Sequence, residues 1–306
     1  MADSGAPLAA LIPSWLLSLS ERDLSPKTIE AYQRTGDQFC AWLAAEGLPD
    51  GTEAIEPAAI RAFLAHETER TSAVSAHQHF RNLRVLFRWL AREGERTGPD
   101  PMIRVDGPKV SRKVKPVLGD AELIRLLKAC EGQGFEARRD TAIIRVLVDC
   151  GARVSGLGGI ALADVNLSHK VIRIRLKGGD EHLIPIGRKA AAALDRYLRA
   201  RARHPRGAGS PWLWLGMAGR DPGHFGPAGI QDMLERRGKE AGIGKVTPHA
   251  FRRTFAHNWL DGGGSELDGM RIAGWKTRAM IELYAGDLAA ERARQFHARL
   301  SPGDRL

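Results

Sequence analysis

The chain has 306 residues and carries 46 lysines and arginines against 36 aspartates and glutamates, giving a formal charge of +10 and a sequence pI of about 9.9. No apolar run reaches transmembrane length and no basic-then-apolar leader opens the chain, so the charge points to polyanionic partners, with nucleic acid before membrane. The dispersed Cys40, Cys130 and Cys150 exclude a disulfide framework or a cysteine zinc site, and a reducing, cytoplasmic location is expected.

The first dozen residues read as a frayed lead-in. Ser25-Pro26-Lys27-Thr28 then sets an N-cap before a proline at the first helical position, opening a helix through Ile29, Tyr32, Phe39, Trp42 and Leu43 that stops near Gly47. A second helix follows Glu56-Pro57 through Ile60, Phe63 and Leu64. A third runs from about His79 to Glu93. At helical spacing Phe80, Leu83, Phe87 and Leu90 share one side, and Arg81, Arg84, Arg88 and Arg92 share another. A face needing only solubility would mix signs; four arginines in one stripe fit a run of phosphates, or else form a solvated basic face. His77 and His79 have no ligand partners at metal-binding spacing, and no metal site is expected. From Gly98 to Pro116 periodicity gives way to prolines and to Lys109, Arg112, Lys113 and Lys115, an extended basic linker suited to a nucleic-acid backbone. The expected organisation is a helical domain over 1–98, a linker over 99–116 and a second domain over 117–306.

In the second domain Asp120 is expected to cap a helix carrying Leu123, Ile124, Leu126 and Leu127. An apolar helix from Asp140 to Asp149 follows and ends at Cys150-Gly151-Ala152-Arg153-Val154-Ser155-Gly156-Leu157. The alternating runs 171–176 and 182–186, joined by Lys177-Gly178-Gly179-Asp180, predict a β-hairpin with Lys177 at its bend. Helices are expected at about 188–203, 227–241, 248–260 and 265–273, then a short one carrying Tyr284 and a last one over 288–300. The fold class is mainly α with a small antiparallel β-sheet. Within it, Thr247-Pro248-His249-Ala250-Phe251-Arg252-Arg253 reads as a capped helix start with His249 and Arg252 on one side of the first turn, a place that favours a phosphate.

These segments together resemble the tyrosine recombinase (phage integrase) family. Gly151-x-Arg153-x-Ser155-x-Leu157 matches its first arginine box, Leu176-Lys177-Gly178 its hairpin lysine and His249-x-x-Arg252 its second box. Ala273-Gly274-Trp275 stands where the family has Leu-Gly-His, and Tyr284 follows nine residues later at the nucleophile spacing. The N-terminal helices resemble its SAM-like core-binding domain, and the resemblance implies a two-domain form without an arm-binding domain, the second domain being a mixed α+β catalytic domain.

The resemblance implies metal-free, ATP-free cutting and rejoining of double-stranded DNA at specific recombination sites. Tyr284 would attack the scissile phosphate and form a 3′-phosphotyrosyl link. Arg153 and Arg252 would clamp its non-bridging oxygens. Lys177 would protonate the leaving 5′-oxygen, and His249 would assist the tyrosine or the phosphate. Trp275 would donate its indole N–H or simply pack. Arg253, Lys27, the arginine stripe and the linker cations would contact the DNA backbone. A homo-tetramer on DNA passing through a Holliday junction, a free monomer and accessory DNA-bending or directionality proteins are also implied. The 288–300 helix would pack on a neighbouring subunit or close its own domain. Two other readings are topoisomerase IB-like relaxation and a DNA-binding protein with a decayed site.

Gly156 departs from the family, which carries a glutamate there; Asp149 or Asp164 is expected to substitute in holding Arg153. Gly158 and Gly159 are expected to loosen their helix, at about 1 kcal/mol for each glycine against alanine, and Gly262-Gly263-Gly264 to loosen the approach to Trp275.

Overall fold

The computed structural model describes residues 5–22, 24–110, 117–175, 181–217, 223–285, 289–301 and 303–305, with 283–285, 289–292, 295 and 305 as backbone only. The chain divides into two compact units, Met1–Val114 and Lys115–Leu306. Helices predominate, with one small antiparallel sheet, as the sequence pattern predicts.

The first unit holds four long helices: α1 (Leu8–Ser20), α2 (Pro26–Ala45), α3 (Pro57–Arg70) and α4 (Ala73–Arg92). Helix α1 overturns the expectation of a frayed lead-in. Leu8, Ile12, Trp15 and Leu19 recur at helical spacing and are buried, a pattern disguised by Pro7 and by Pro13 inside the helix. Ser25 caps α2 as its sequence suggests, accepting from the Thr28 N–H. In α4 the apolar side packs into the core through Leu83, Leu86, Phe87 and Leu90, which leaves the arginine side to solvent.

A chain of polar groups runs through this apolar core. Arg70 donates twice to Glu67, at 3.0 and 2.8 Å, and Glu67 faces His79 Nε2 at 3.5 Å. His79 Nδ1 meets the Thr35 hydroxyl at 3.0 Å, and Thr35 accepts from Asn82 Nδ2 at 2.8 Å. Burial holds the His79 imidazole below its ordinary value of 6.5, and the Arg70 hydrogen bonds hold Glu67 below 4.5. A histidine depressed on folding contributes stability that is complete above pH 6.5 and is lost as pH falls toward its folded value; Glu67 adds a further loss below pH 4.5. Thermal melts of the full chain are therefore expected to fall from pH 7 to pH 5 in the transition that reports the first unit, and His79→Gln is expected to flatten that slope. An unchanged slope in the variant would assign the acid sensitivity elsewhere.

The second unit opens with α5 (Asp120–Lys128), capped by Gly119 and not by Asp120: the Glu122 carboxylate accepts from the Gly119 N–H at 2.9 Å. Helix α6 (Phe135–Cys150) begins before the expected Asp140, because its first turn is a charged network and not an apolar run. A short α7 (Val154–Gly158) leads to three antiparallel strands in the order β1 (Val165–Asn166), β2 (Val171–Arg175), β3 (Glu181–Pro185). Ile172 and Ile184 are paired and buried, while Arg173 and Arg175 alternate outward, so the predicted hairpin is present with an added short strand. Helices α8 (Arg188–Ala202), α9 (Pro227–Glu240), α10 (Pro248–Asp261), α11 (Glu266–Ala273), α12 (Arg278–Ala285) and α13 (Ala289–Leu300) complete the unit.

Helix α6 is the spine of this unit, its Ile143, Ile144 and Leu147 packed with Leu194, Tyr197 and Trp214. Helix α10 reaches two clusters: Ala250 and Phe251 join the α6 core, and Phe255 and Leu260 join Ala273, Trp275 and Ile281. The glycine connection after α10 is packed and not loose. The Gly264 N–H donates to Trp259 O at 2.9 Å, and the Trp259 indole donates to Ser265 O at 2.9 Å. The Phe296 ring of α13 lies 3.5 Å from where a Cβ on Gly263 would stand, so part of α13 rests against this turn of its own chain. No helix among the described residues is long and apolar enough to cross a membrane.

Candidate active site

Helix α6 ends with Gly151 in the left-handed conformation, and Arg153 follows as the N-cap residue of α7. Arg153 is exposed, and its Nη1 donates to Gly274 O at 3.0 Å. Arg252, on the first turn of α10, is only 2% exposed. Its Nη1 donates to Gly151 O at 2.7 Å and to Ala273 O at 2.8 Å, and its guanidinium carbon lies 4.7 Å from the centre of the Trp275 ring. Two arginines nearly a hundred residues apart thus grip the carbonyls of consecutive residues at the end of α11. Gly274 makes this turn possible, because its φ of +63° is a left-handed conformation that side chains disfavour.

Trp275 is buried between Phe255 and Arg252, 5% exposed. His249 is exposed at the second position of α10, and Arg253 beside it is half-buried. Thr247 takes the N-cap position as expected, but its hydroxyl makes no cap hydrogen bond. The hairpin approaches the same turn: His182 Nε2 of β3 meets Ile272 O at 3.1 Å. His182 was not singled out from the sequence, and only the adjacent hairpin motif could have pointed to it. Lys177 lies outside the described residues. Tyr284 falls on α12, which packs on α10 through Ile281 and its neighbours. Burial pushes the Cys150 thiol up to about 12, so it stays protonated and is no rival nucleophile.

The substitutes expected for the missing glutamate do other work. Asp149, its carboxyl raised by burial, accepts from the Gly187 N–H at 2.6 Å. Asp164 accepts from the Ala161 N–H at 3.1 Å and faces Arg175 at 3.9 Å. Arg153 is held instead by the Gly274 carbonyl. A Cβ on Gly156 would meet Ile174 Cγ2 at 2.6 Å, and one on Gly158 would meet Pro227 at 2.7 Å. These glycines let α7 press against β2 and α9; they do not loosen it.

The stretch 116–291 matches the phage integrase family, and 12–94 matches the N-terminal SAM-like domain of phage integrases. The chain is 32% identical over 285 residues to tyrosine recombinase XerD of Pseudomonas aeruginosa, covering 92% of this chain and 93% of the relative. It is 31% identical over 259 residues to tyrosine recombinase XerC of Pelobacter propionicus, covering 84% of each. The chain belongs to the phage integrase family. Among solved structures, a lambda integrase tetramer bound to a Holliday junction shares the fold at 18% identity and a TM-score of 0.73, over 92% of this chain and 78% of that one. XerH recombinase bound to a palindromic difH substrate after cleavage shares it at 17% identity and a TM-score of 0.73, over 92% and 82%.

Position 156 has no room for a side chain while Ile174 keeps its place. Gly156→Glu, which would restore the family residue, is expected to destabilise the chain by about 1–3 kcal/mol through overpacking against Ile174 and to leave cleavage no faster. A thermal melt and a cleavage time course check both parts, and an unchanged melting temperature would show that β2 yields.

The remaining expected DNA contacts lie mostly on the first unit. Arg81, Arg84, Arg88 and Arg92 are exposed on one side of α4, as is Lys27 at the start of α2. Arg84 lies over the Phe80 ring, 5.7 Å from its centre, and Arg92 pairs with Glu93 at 3.0 Å. Lys109 is exposed, whereas Arg112, Lys113 and Lys115 lie outside the described residues. Among the described residues no group of histidines, cysteines and carboxylates is placed to hold a metal ion.

Proposed function

We propose that this phage integrase is a site-specific recombinase that cuts and rejoins double-stranded DNA through a 3′-phosphotyrosyl intermediate on Tyr284. The observation that carries this reading is the convergence of Arg153 and Arg252 on Gly274 and Ala273, ten and eleven residues before Tyr284. Two guanidinium groups fixed at one turn present the planar donors that a phosphate with developing charge needs, and positive charge placed in advance requires no reorganisation during reaction. Arg153 and Arg252 hold the non-bridging oxygens, and His249 hydrogen-bonds the phosphate or assists the tyrosine. Lys177, which the sequence puts between the two hairpin strands, protonates the leaving 5′-oxygen. Trp275 buttresses Arg252 through its ring. The bond energy stays in the phosphotyrosine, so rejoining needs no ATP.

The first unit is the core-binding domain, tracking DNA phosphates with Lys27, Arg81, Arg84, Arg88 and Arg92; Lys109, Arg112, Lys113 and Lys115 carry the backbone contacts along the linker, and Arg253 adds one in the catalytic domain. Four copies assemble on two sites and exchange strands in pairs through a Holliday junction, with α13 contributing to the contact between subunits and with accessory proteins setting direction. The protein acts in the cytoplasm, on the nucleoid. The XerC and XerD relatives are named recombinases, which favours exchange between sites over relaxation of supercoils.

The test is a nicked suicide duplex carrying the recombination site. Loss of the short fragment below the nick removes the attacking 5′-hydroxyl, so a cleaving enzyme accumulates as a protein–DNA adduct on a denaturing gel. An adduct is the expected result; its absence on the cognate site removes the catalytic reading.

A further inference from the structure

The arginine stripe of α4 accounts for affinity and not for choice of sequence, since phosphates carry no base information. Earlier on the same helix lies a residue with different chemistry. Gln78 is exposed, and among the described residues its one hydrogen bond is from Nε2 to Asn82 Oδ1, at 2.8 Å. Asn82 is itself immobilised: it is 3% exposed, and its Nδ2 donates to Ala31 O at 3.1 Å and to Thr35 Oγ1 at 2.8 Å. Thr35 meets His79 Nδ1, and His79 Nε2 faces the Glu67 carboxylate, which Arg70 holds ionised. With the carboxylate at Nε2 the imidazole carries its proton there and accepts from Thr35 at Nδ1. The Thr35 hydroxyl also lies 3.1 Å from Ala31 O, so its one proton is shared between that carbonyl and His79 Nδ1. A carbonyl can only accept, so Ala31 O fixes which way the Asn82 amide faces, and Asn82 Oδ1 then fixes which way the Gln78 amide faces.

Such a lock costs the core a series of buried polar groups and leaves the Gln78 carbonyl oxygen and second N–H directed away from Asn82. A glutamine held with one acceptor and one donor side by side matches the N6–H donor and N7 acceptor of adenine in the major groove. One turn earlier, Val74 is 63% exposed, an apolar surface at i−4 from Gln78 that fits a thymine methyl. Gln78 to Arg88 spans roughly 15 Å of helix, so the same helix reaches both base edges and the adjoining backbone.

We infer that the first two turns of α4 read sequence: Gln78, oriented by the buried Asn82 amide, pairs with adenine, and Val74 contacts a thymine methyl beside it. This rests on the reading of the chain as a DNA recombinase, and it assigns the choice of site to residues apart from the phosphate clamp.

The experiment is selection of the full chain on a randomised 40-base-pair duplex library, without cleavage, for wild type, Gln78→Ala and Gln78→Glu. Wild type is expected to enrich a motif with an invariant A·T pair in each half-site. Gln78→Ala is expected to lose the preference at that position alone and to bind the wild-type motif about 10-fold more weakly, while Gln78→Glu is expected to shift it toward cytosine, whose N4 donates. A second measurement replaces thymine by uracil across the selected motif: wild type is expected to weaken at a thymine beside the A·T pair, and Val74→Ala to be indifferent there. If wild type enriches a motif and Gln78→Ala enriches the same one with equal affinity, the inference falls while the recombinase reading stands. A wild type that enriches no motif overturns both.

Discussion

Arg252→Lys is expected to slow formation of the covalent adduct by about 10²- to 10³-fold, and Tyr284→Phe to abolish it. The lysine keeps the charge, so the loss tests geometry. Arg252 sends one nitrogen to two carbonyls, Gly151 O and Ala273 O, while its plane lies against Trp275. A lysine ammonium is a single point with no planar fork, and it cannot hold both carbonyls, stack on the indole and present further donors to a phosphate. Because Arg252 is buried, its loss is also expected to lower stability by about 1–3 kcal/mol, the penalty for leaving buried partners unmet. Arg153→Lys provides the contrast. Arg153 is exposed and bonds one carbonyl, so its variant is expected to lose cleavage with the melting temperature nearly unchanged. Tyr284→Phe separates attack from both arginines: it removes the oxygen proposed to join the phosphorus and is expected to bind the site with wild-type affinity. Single-turnover cleavage, gel shift and thermal melts resolve the three cases. Wild-type cleavage by Arg252→Lys would dismiss the clamp, and an adduct with Tyr284→Phe would reassign the nucleophile.

The parts of this site legible in the sequence were those set by local rules. A helix start at Thr247-Pro248 and alternating isoleucines in the hairpin each follow from backbone geometry over a few residues, and each stands where expected. What the sequence concealed is mostly the way elements press together. Gly158 read as a weak point because intrinsic helix propensity was the rule at hand, and Gly156 as a lost glutamate because of the family resemblance, whereas the room at both is set by Pro227 and Ile174, which are distant in sequence. Asp149 and Asp164 were plausible partners of Arg153 by proximity along the chain, yet nearer backbone N–H groups took them. The lead-in hid α1 because Pro13 argues against a helix locally, and four buried side chains override it. The chain from Gln78 to Glu67 joins three helices, and nothing in any one of them announces it.

A second large effect lies away from the chemistry, at Asp140. This carboxylate is fully buried and accepts from Arg139 at 3.0 and 2.8 Å, from Arg236 at 3.2 Å and from Arg237 at 2.9 Å. Arg139 is 1% exposed, donates to Leu215 O and lies 3.7 Å from the centre of the Phe225 ring. Taken alone the cluster is weak evidence for stability, since burying several charges costs about as much as their attraction returns. Removing one member is a different matter. Asp140→Ala leaves Arg139 and Arg237 in a low-dielectric interior with Glu136 and Glu240 as their remaining carboxylates, both half in solvent. The expected cost is about 3–5 kcal/mol, which for a unit of this size lowers the melting temperature by roughly 6–20 °C. Asp140→Asn keeps the shape but loses the charge and turns one acceptor oxygen into an N–H donor facing guanidinium groups, and it is expected to fall between. The damage should also reach the active site. Asp140 fastens α6 to α9, α6 ends three residues before Arg153, and α9 is the helix against which Gly158 lets α7 press. Asp140→Asn is therefore expected to slow adduct formation at temperatures where the variant is still folded, and a variant that melts early yet cleaves at the wild-type rate when cold would show that Arg153 is positioned by Gly274 alone.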